Sequence, residues 1–264
     1  MGTLMNLSPV FDSHFSYIKP VSSDIEKLRS EFNIEGLVLV QETPEFQATE
    51  NALKFAEDSL HISAASVWVD LESKSFKSSI TTIKEYAKTK GVFLPIGSHQ
   101  DNHWLVRDEI VKNLKLLPEN GLSLDLSLEP RQIPSVQELA MLIPELKIML
   151  TNIGSPYIAR NEREPWGVYM MNLATAKNVY VKLNGILSLD TLPNWSSAHL
   201  KIFVEPVMRL FGYSRVVYGG DSALDPKIGD YGSVLSALLE AVSPLTDDQF
   251  ARIFRLNGKS FYGA

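Results

Sequence analysis

The sequence predicts an α/β fold, a (β/α)8 TIM barrel, and three observations support this prediction. Eight short runs rich in apolar and β-branched residues recur at fairly even spacing along the 264 residues. A stretch with helical periodicity lies between successive runs. Several runs alternate apolar with polar side chains, as a strand does when one face packs against helices. Because strand followed by helix eight times in about 250 residues is typical of this barrel, we expect a single domain over residues 1–264.

Each predicted element has a local reason. The strands are predicted from the short apolar runs, and they cover residues 10–15, 36–41, 66–71, 92–99, 122–128, 146–153, 179–184 and 216–221. The helices are predicted from polar capping residues and from apolar residues spaced at i, i+3 and i+4. They cover residues 23–32, 49–59, 78–89, 106–117, 135–142, 166–176, 198–211, 231–242 and 246–256.

The alternation within the strands predicts which side chains face the barrel interior. In the fifth strand, Leu124 and Leu126 share one face and Asp125 lies on the other. Because unpaired buried charge is costly, the interior charges form either an ion network that only holds the barrel together or the polar floor of an active site. The side chains predicted to point inward are Asp12, His14, Asp70, Asp125, Lys182, Asn184 and Asp221.

The composition excludes several classes of protein. The net charge of −6 argues against an electrostatic nucleic-acid footprint, and the absence of cysteine excludes disulfides and thiolate ligands. We see no signal peptide and no apolar stretch that could span a bilayer. We therefore expect a cytoplasmic protein that acts on a small molecule, with no nucleic-acid or membrane partner. The oligomeric state stays open.

The ends of the predicted strands carry the residues suited to chemistry, since active sites of these barrels lie at the C-terminal ends of the strands. Asp221 follows two glycines at the end of the eighth strand, where it is either a general base for water or a helix cap. His14 ends the first strand, and Asn152 follows the sixth. The nearby loops hold Arg131, Tyr157, Arg160 and Arg163. These arginines suit an anionic substrate, or they are ordinary surface residues.

The order and spacing of six motifs make the chain similar to a known family. The motifs are Phe11-Asp12-Ser13-His14, the segment 67–72 (VWVDLE), the segment 121–134 around the fifth strand, the segment 144–156 around the sixth, the segment 178–185 (NVYVKLNG) and Tyr218-Gly219-Gly220-Asp221. Together they resemble the amidohydrolase-related barrels, in particular the branch of sugar lactonases and pyrone-dicarboxylate-type lactone hydrolases. The resemblance runs nearly end to end and implies the same (β/α)8 barrel.

The chain departs from that family at its metal ligands. Ser16 stands where the family's first strand has a second histidine, and Asn152 stands where its sixth strand has a histidine. An arginine usual after the fourth strand is also missing. Only His14 and Asp221 of the metal set remain, and a catalytic zinc normally needs three protein ligands. We therefore expect no tightly bound metal, with zinc or manganese held by His14 and Asp221 as the alternative.

The resemblance implies a hydrolase that acts on a small, anionic lactone or ester. Asp221 would deprotonate water, while His14, Asn152 and Lys182 would stabilise the oxyanion. Two alternatives stay open: a catalytically decayed paralogue that binds a ligand or partner, and a metal-dependent decarboxylase. The residues expected to bind the substrate are Ser16, His99, Glu129, Arg131, Tyr157, Arg163 and Asn184.

Overall fold

Eight parallel strands form one sheet in the order in which they occur in the chain. A computed structural model describes residues 8–17, 22–185, 196–220 and 230–264, with the backbone alone at 22–24. Every neighbouring pair from β1 to β8 is parallel. The strands are β1 Val10–Ser16, β2 Ile34–Val40, β3 Ile62–Val67, β4 Thr89–Pro95, β5 Ser123–Ser127, β6 Ile148–Leu150, β7 Val179–Leu183 and β8 Val216–Tyr218.

Helices connect the strands, and their apolar faces pack with the outer face of the sheet in one large core. They are α1 Ser22–Phe32, α2 Phe46–Asp58, α3 Phe76–Lys84, α4 Asp108–Leu114, α5 Leu116–Glu119, α6 Ile133–Leu142, α7 Trp166–Leu173, α8 Ser197–Phe211, α9 Tyr231–Val242, α10 Asp247–Ala251 and α11 Asn257–Tyr262. None of the helices in the described ranges is both long and apolar enough to cross a membrane. The architecture is the (β/α)8 barrel that the sequence predicts.

The third strand lies earlier in the chain than the sequence predicts. It covers Ile62–Val67 rather than residues 66–71, and just beyond its end the amide of Trp68 donates to the side-chain Oε1 of Gln41 (3.0 Å) rather than to a backbone carbonyl. The prediction that Asp70 points into the barrel is therefore wrong. Asp70 lies beyond the strand end and is exposed to solvent.

The two faces of β5 agree with the predicted alternation. Leu124 and Leu126 belong to the core between sheet and helices. Asp125 lies on the inner face, where the neighbouring interior positions are Phe93 on β4 and Met149 on β6. The interior is therefore a small apolar core of its own with a charged group built into it.

The charge of Asp125 is balanced inside the barrel by a lysine and a tyrosine. Lys182 Nζ lies 3.1 Å from Asp125 Oδ2 and 2.8 Å from the hydroxyl of Tyr262, which itself donates to the same Oδ2 at 2.5 Å. Asp125 and Lys182 are both 0% exposed. Burial, and then the negative charge of Asp125, raises the pKa of Tyr262 well above its usual value, so the tyrosine is neutral and donates. The last helix, α11, thus closes the interior ion cluster.

Removing the lysine from this cluster should destabilise the barrel strongly. The Lys182→Met variant leaves the Asp125 carboxylate buried without its cation, and breaking a buried pair in this way typically costs about 3–5 kcal/mol of unfolding free energy. Lys259→Met is the matched control, because Lys259 pairs with Glu35 (2.9 Å) at the surface and surface pairs contribute about 1 kcal/mol or less. Urea unfolding followed by circular dichroism measures both, and equal losses in the two variants would contradict the role of the cluster.

Candidate functional site

The ends of β1, β7 and β8 meet around Gly219. A Cβ atom placed on Gly219 would lie 2.7 Å from Cβ of His14, 3.0 Å from Cβ of Asn184 and 3.1 Å from Cδ of Lys182. These distances are too short for any side chain at position 219, so glycine is required for the close approach. The structure thus brings together three of the predicted site residues, at the C-terminal ends of the strands.

His14 is held by a carboxylate from the neighbouring strand. Its Nε2 lies 3.1 Å from Oε1 of Glu42, just after β2, and the imidazole is 2% exposed. Burial raises the pKa of Glu42, but the hydrogen bond and charge of His14, with the charge of Lys182, outweigh it and lower the net pKa. The ionised carboxylate can only accept, so His14 donates from Nε2. Its Nδ1 is buried and has no hydrogen-bond partner in the described ranges, which leaves one ring nitrogen for chemistry.

Asn152 and Asn184 form a reciprocal amide pair between β6 and β7. The backbone amide of Asn152 donates to Oδ1 of Asn184 (2.8 Å), and Nδ2 of Asn184 donates to Oδ1 of Asn152 (2.7 Å). Because a backbone N–H can only donate, this pattern sets the orientation of both side-chain amides. Among the described residues, the Nδ2 group of Asn152 makes one long contact, 3.5 Å to Oγ of Ser127. Asn152 is therefore oriented as a hydrogen-bond donor.

A strained turn carries Asn152. Its backbone is left-handed (φ 53°), and so is that of the next residue, Ile153 (φ 46°). A β-branched residue in this conformation is unusual, and such backbone strain tends to occur at functional sites. On the opposite side, a Cβ on Gly185 would come within 2.2 Å of Oδ1 of Asn152, so the turn also requires glycine there.

Asp12 links β1 to the segment after β8. Its Oδ1 accepts the backbone amides of His14 (2.9 Å) and Gly220 (2.7 Å), and its Oδ2 accepts the hydroxyl of Tyr231 (3.0 Å). Asp12 is 0% exposed. Burial raises its pKa, and the three hydrogen bonds reduce this rise without cancelling it. One carboxylate therefore bonds to a residue just after β8, Gly220, and to the first residue of α9, Tyr231.

Lys182 does not take the position that the sequence predicts for an oxyanion donor. Its ammonium group donates to Asp125 and Tyr262 and is 0% exposed, so it has no surface with which to contact a substrate. It acts at a distance, since its positive charge contributes to the lowered pKa of Glu42.

Two of the predicted substrate-binding residues meet after β5. The hydroxyl of Tyr157 donates to Oε2 of Glu129 (3.2 Å). The pKa of Tyr157 is raised, first by burial and then by the negative charge of Glu129. This pair presents a carboxylate and a phenol at the mouth of the barrel.

Arg131 supports a loop instead of facing a ligand. Its guanidinium donates to the carbonyl oxygens of Gly97 (3.1 Å) and His99 (2.8 Å), and it also contacts Oδ1 of Asn102. These bonds use the face of the group that would bind a carboxylate. The role of carboxylate binder predicted for Arg131 therefore does not fit its contacts.

The remaining predicted site residues are dispersed. Ser16 is buried at the end of β1, and Arg163 is exposed. The ring of His99 packs on Trp104, with centroids 4.9 Å apart. Asp221, the predicted general base, lies outside the described residues.

Sequence reasoning missed Glu42, the partner of His14. The predicted second strand ended at Gln41, and only that residue was placed at the strand end. Glu42 is the next residue in the chain, so the rule that chemistry follows strand ends would have found it if applied one position further.

The described residues do not fit a three-ligand metal centre. His14 and Glu42 supply one nitrogen and one oxygen 3.1 Å apart, but both oxygens of Asp12 are taken by hydrogen bonds. The Oδ1 atom of Asn152 accepts from Asn184, and amides are poor zinc ligands. In the described part of the chain, no three His, Asp or Glu side chains lie close enough together to hold a metal ion.

Comparison with known proteins places this chain in a family. Residues 17–264 match the family described as amidohydrolase. The chain belongs to the amidohydrolase family. This confirms the resemblance seen in the sequence motifs, and with it the prediction that the chain is a hydrolase.

Three relatives illustrate the range of the match. The L-fucono-1,5-lactonase of Burkholderia ambifaria is 28% identical over 243 residues, which are 90% of this chain and 83% of that protein. A zinc-bound amidohydrolase from Burkholderia multivorans has a TM-score of 0.85 at 18% identity, covering 97% of this chain and 99% of that one. A Pseudomonas putida protein, whose proposed activity is 2-pyrone-4,6-dicarboxylic acid hydrolysis, has a TM-score of 0.78 at 17% identity, covering 96% and 97%.

Changing Asp12 tests its role as the link between β1 and β8. Asp12→Ala leaves two buried backbone amides and the Tyr231 hydroxyl without their acceptor, and each such group costs about 1–3 kcal/mol. Asp12→Asn is the matched control, because its Oδ1 can still accept both amides and its Nδ2 can donate to Tyr231. We expect Asp12→Ala to lose several kcal/mol of unfolding free energy in urea and Asp12→Asn to lose far less.

The same comparison across pH separates the charge from the hydrogen bonds. Because the folded pKa of Asp12 is raised, the folded wild type binds this proton more tightly than the unfolded chain. Its stability therefore falls as the pH rises from about 3.9, the unfolded value, through the folded pKa. The Asp12→Asn variant lacks this titration, so its stability relative to wild type should improve over that window. A constant difference between the two proteins would show that Asp12 is not perturbed.

Proposed function

We propose that the chain hydrolyses a small sugar-type lactone, with Asp221 as the general base. The family membership supports hydrolysis, and the relative from Burkholderia ambifaria, an L-fucono-1,5-lactonase, supports the lactone. The observation that carries the proposal is the position of Gly219. This glycine lies against His14 and Asn184, and Asp221 follows it two residues later in the chain.

The reaction adds water to the lactone carbonyl and opens the ring. Asp221 would accept a proton from the attacking water, whose oxygen bonds to the carbonyl carbon. The ring C–O bond then breaks, and the same proton passes to the leaving ring oxygen, which gives a hydroxy acid. Nδ2 of Asn152, held by its pairing with Asn184, would donate to the oxyanion.

His14 takes a different part from the one that the sequence suggests. With Nε2 donating to Glu42, Nδ1 is the ring nitrogen left for a ligand, and in the neutral form of the imidazole Nδ1 is an acceptor. An acceptor cannot stabilise an oxyanion. Nδ1 of His14 is buried, so it would instead accept a hydrogen bond from the attacking water once that water enters the space beside the ring.

The charges around the site favour a neutral substrate over the anionic one that the sequence suggests. The guanidinium of Arg131 is bound to loop carbonyls, and the ammonium of Lys182 is paired inside the barrel. Glu42 and Glu129 present carboxylates at the strand ends. A carboxylate on the substrate would be repelled by them, whereas the hydroxyl groups of a sugar lactone can donate to them.

Turnover assays test this proposal. The wild type should open neutral aldonolactones such as L-fucono-1,5-lactone faster than 2-pyrone-4,6-dicarboxylate, measured by proton release. Asp221→Asn should lower the rate about 10²–10⁴-fold. Asp230→Asn is the control, because Asp230 caps α9 by accepting the amide of Ser233 (2.7 Å) and asparagine caps equally well.

Each outcome of these assays has a defined meaning. An unchanged rate in Asp221→Asn removes it as the base. Absence of turnover on a broad lactone panel favours the catalytically decayed paralogue, and release of CO2 from an aromatic acid favours the metal-dependent decarboxylase. Faster opening of the dicarboxylate would restore the anionic substrate.

We also propose that no metal is tightly bound, since Ser16 and Asn152 stand in place of imidazoles. Protein purified without added metal or chelator should hold less than one zinc or manganese per chain, measured by plasma mass spectrometry, and dipicolinate should leave the lactonase rate unchanged. One ion per chain that is lost in His14→Asn would overturn this. A cytoplasmic location and the lack of a membrane partner stay predictions. The lack of a nucleic-acid partner is also a prediction, which the net charge of −6 supports.

A further inference from the structure

A groove of about 460 Å³ lies beside the barrel mouth, outside the site around Gly219. It is bounded by the start of α2, the segment after β3 and one face of α3, and its volume is within the range of about 300–1,000 Å³ for small-molecule sites. The residues that define its chemistry are Glu45, Phe46, Trp68, Asp70, Ser75 and Thr82.

The groove combines aromatic rings, hydroxyls and carboxylates. Trp68 and Phe46 supply flat apolar surface, while Ser75, Ser79 and Thr82 recur at i, i+4 and i+7 on α3, which places their hydroxyls on one face of the helix. The core face of α3 is a different one, formed by Phe76, Ile80 and Ile83. A ligand with an apolar ring face and a rim of hydroxyl groups, such as a saccharide, matches both kinds of surface.

Two polar side chains in the groove stand at helix N-termini without capping the helix. Glu45 and Ser75 are the N-cap residues of α2 and α3, yet neither side chain makes a capping hydrogen bond. A side-chain cap is present at Asp230 and Thr246, whereas it is also absent at the starts of α4, α6 and α7. Serine is a preferred N-cap, so the hydroxyl of Ser75 is left for another partner, and both side chains line the groove.

The negative charge of the groove disfavours anionic ligands. Glu45 and Asp70 line it, and its described lining contains no lysine, arginine or histidine. Two carboxylates without a nearby cation repel an anion, but they accept hydrogen bonds from neutral hydroxyl groups well.

The groove also borders the strand ends. Trp68 and Asp70 line a second, smaller cavity of about 160 Å³ at the ends of β3 and β4. There Trp104 donates from Nε1 to Oε1 of Glu72 (3.1 Å), and its ring packs against His99. The backbone of Trp68 is fixed by Gln41 (3.0 Å) and contacts Thr49 (2.6 Å), so the indole projects from a rigid position.

We propose that this groove is a binding site for an uncharged saccharide unit, which stacks on Trp68 and donates hydroxyl hydrogen bonds to Asp70 and Glu45. The inference concerns binding alone and does not rest on the proposed lactone hydrolysis. A chain without lactonase activity would still bind the sugar.

Titration of the full chain with neutral sugars tests the site. The probes are D-glucose, D-galactose, L-fucose, maltose and cellobiose, and saturable binding of at least one of them is expected by calorimetry and by ligand-observed NMR. Trp68→Ala should abolish that binding, and Asp70→Asn should weaken it about ten-fold. Asp58→Asn is the matched control, because Asp58 ends α2 about 18 Å from the groove end of that helix, and it should bind as wild type does.

Three results would overturn the proposal: no saturable binding of any probe, unchanged binding in Trp68→Ala, or tighter Trp68-dependent binding of tetramethylammonium or malonate than of every sugar. Circular dichroism and melting temperature check that the variants fold. If Trp68→Ala does not fold, three single variants take its place: Trp68→Phe, Asp70→Asn and Thr82→Val. Undiminished sugar binding in all three of them would equally refute the site.

Discussion

The carboxylate of Asp12 joins the two strands at which the barrel closes. Each strand from β1 to β8 pairs with the next, and a hydrogen bond from the amide of Gly220 to Asp12 joins the segment after β8 to β1. The same side chain accepts the amide of His14 and the hydroxyl of Tyr231. Burial raises the pKa of Asp12, and the hydrogen bond from the amide of Gly220 offsets part of that rise. The position of His14 relative to the end of β8 depends on this bond.

The interior ion cluster supports the site from below. The side chain of Lys182 passes Gly219, since a Cβ there would lie 3.1 Å from Cδ of the lysine, and it ends on Asp125 and Tyr262. Its charge also helps to keep Glu42 ionised, and Glu42 in turn orients His14. One buried lysine therefore connects the C-terminal helix to the imidazole at the barrel mouth. The contacts of Lys182 with Asp125 and Tyr262 fit the reading of the interior charges as a structural network, and the reading as an active-site floor stays a prediction.

The sequence predicts the barrel well because strands and helices are recognised from neighbouring residues, by alternation in strands and by capping and i, i+3, i+4 patterns in helices. Leu124, Leu126 and Asp125 take the faces that parity assigns to them. The predicted bounds of the third strand were wrong, because at its end the amide of Trp68 bonds to the side chain of Gln41, which is distant in the sequence. No local pattern carries that information, and the error moved Asp70 from solvent into the predicted interior.

The site was harder to predict, because its roles depend on which partner each group meets. Arg131 and Lys182 have the right chemistry for an anion or an oxyanion, but loop carbonyls and Asp125 already hold them. Glu42 was overlooked, although it sets which nitrogen of His14 stays available. Residue identity gives the chemistry that a group can perform, and only the contacts show which part of it is left for a ligand.

The resemblance implies that Ser16 and Asn152 stand where the family has imidazoles, and such a replacement would change which groups the strand ends offer to a ligand. An imidazole offers a lone pair to a metal, while the amide of Asn152, locked by Asn184, offers an N–H. Donors aimed at a developing oxyanion stabilise it without reorganisation during the reaction. The strained turn at Ile153 (φ 46°) that holds this amide would then be the structural cost of a preorganised hydrogen-bond donor. The departures from the family's metal ligands would then replace a metal ion by an oriented amide donor as the group that stabilises negative charge. Such an exchange is compatible with retained function.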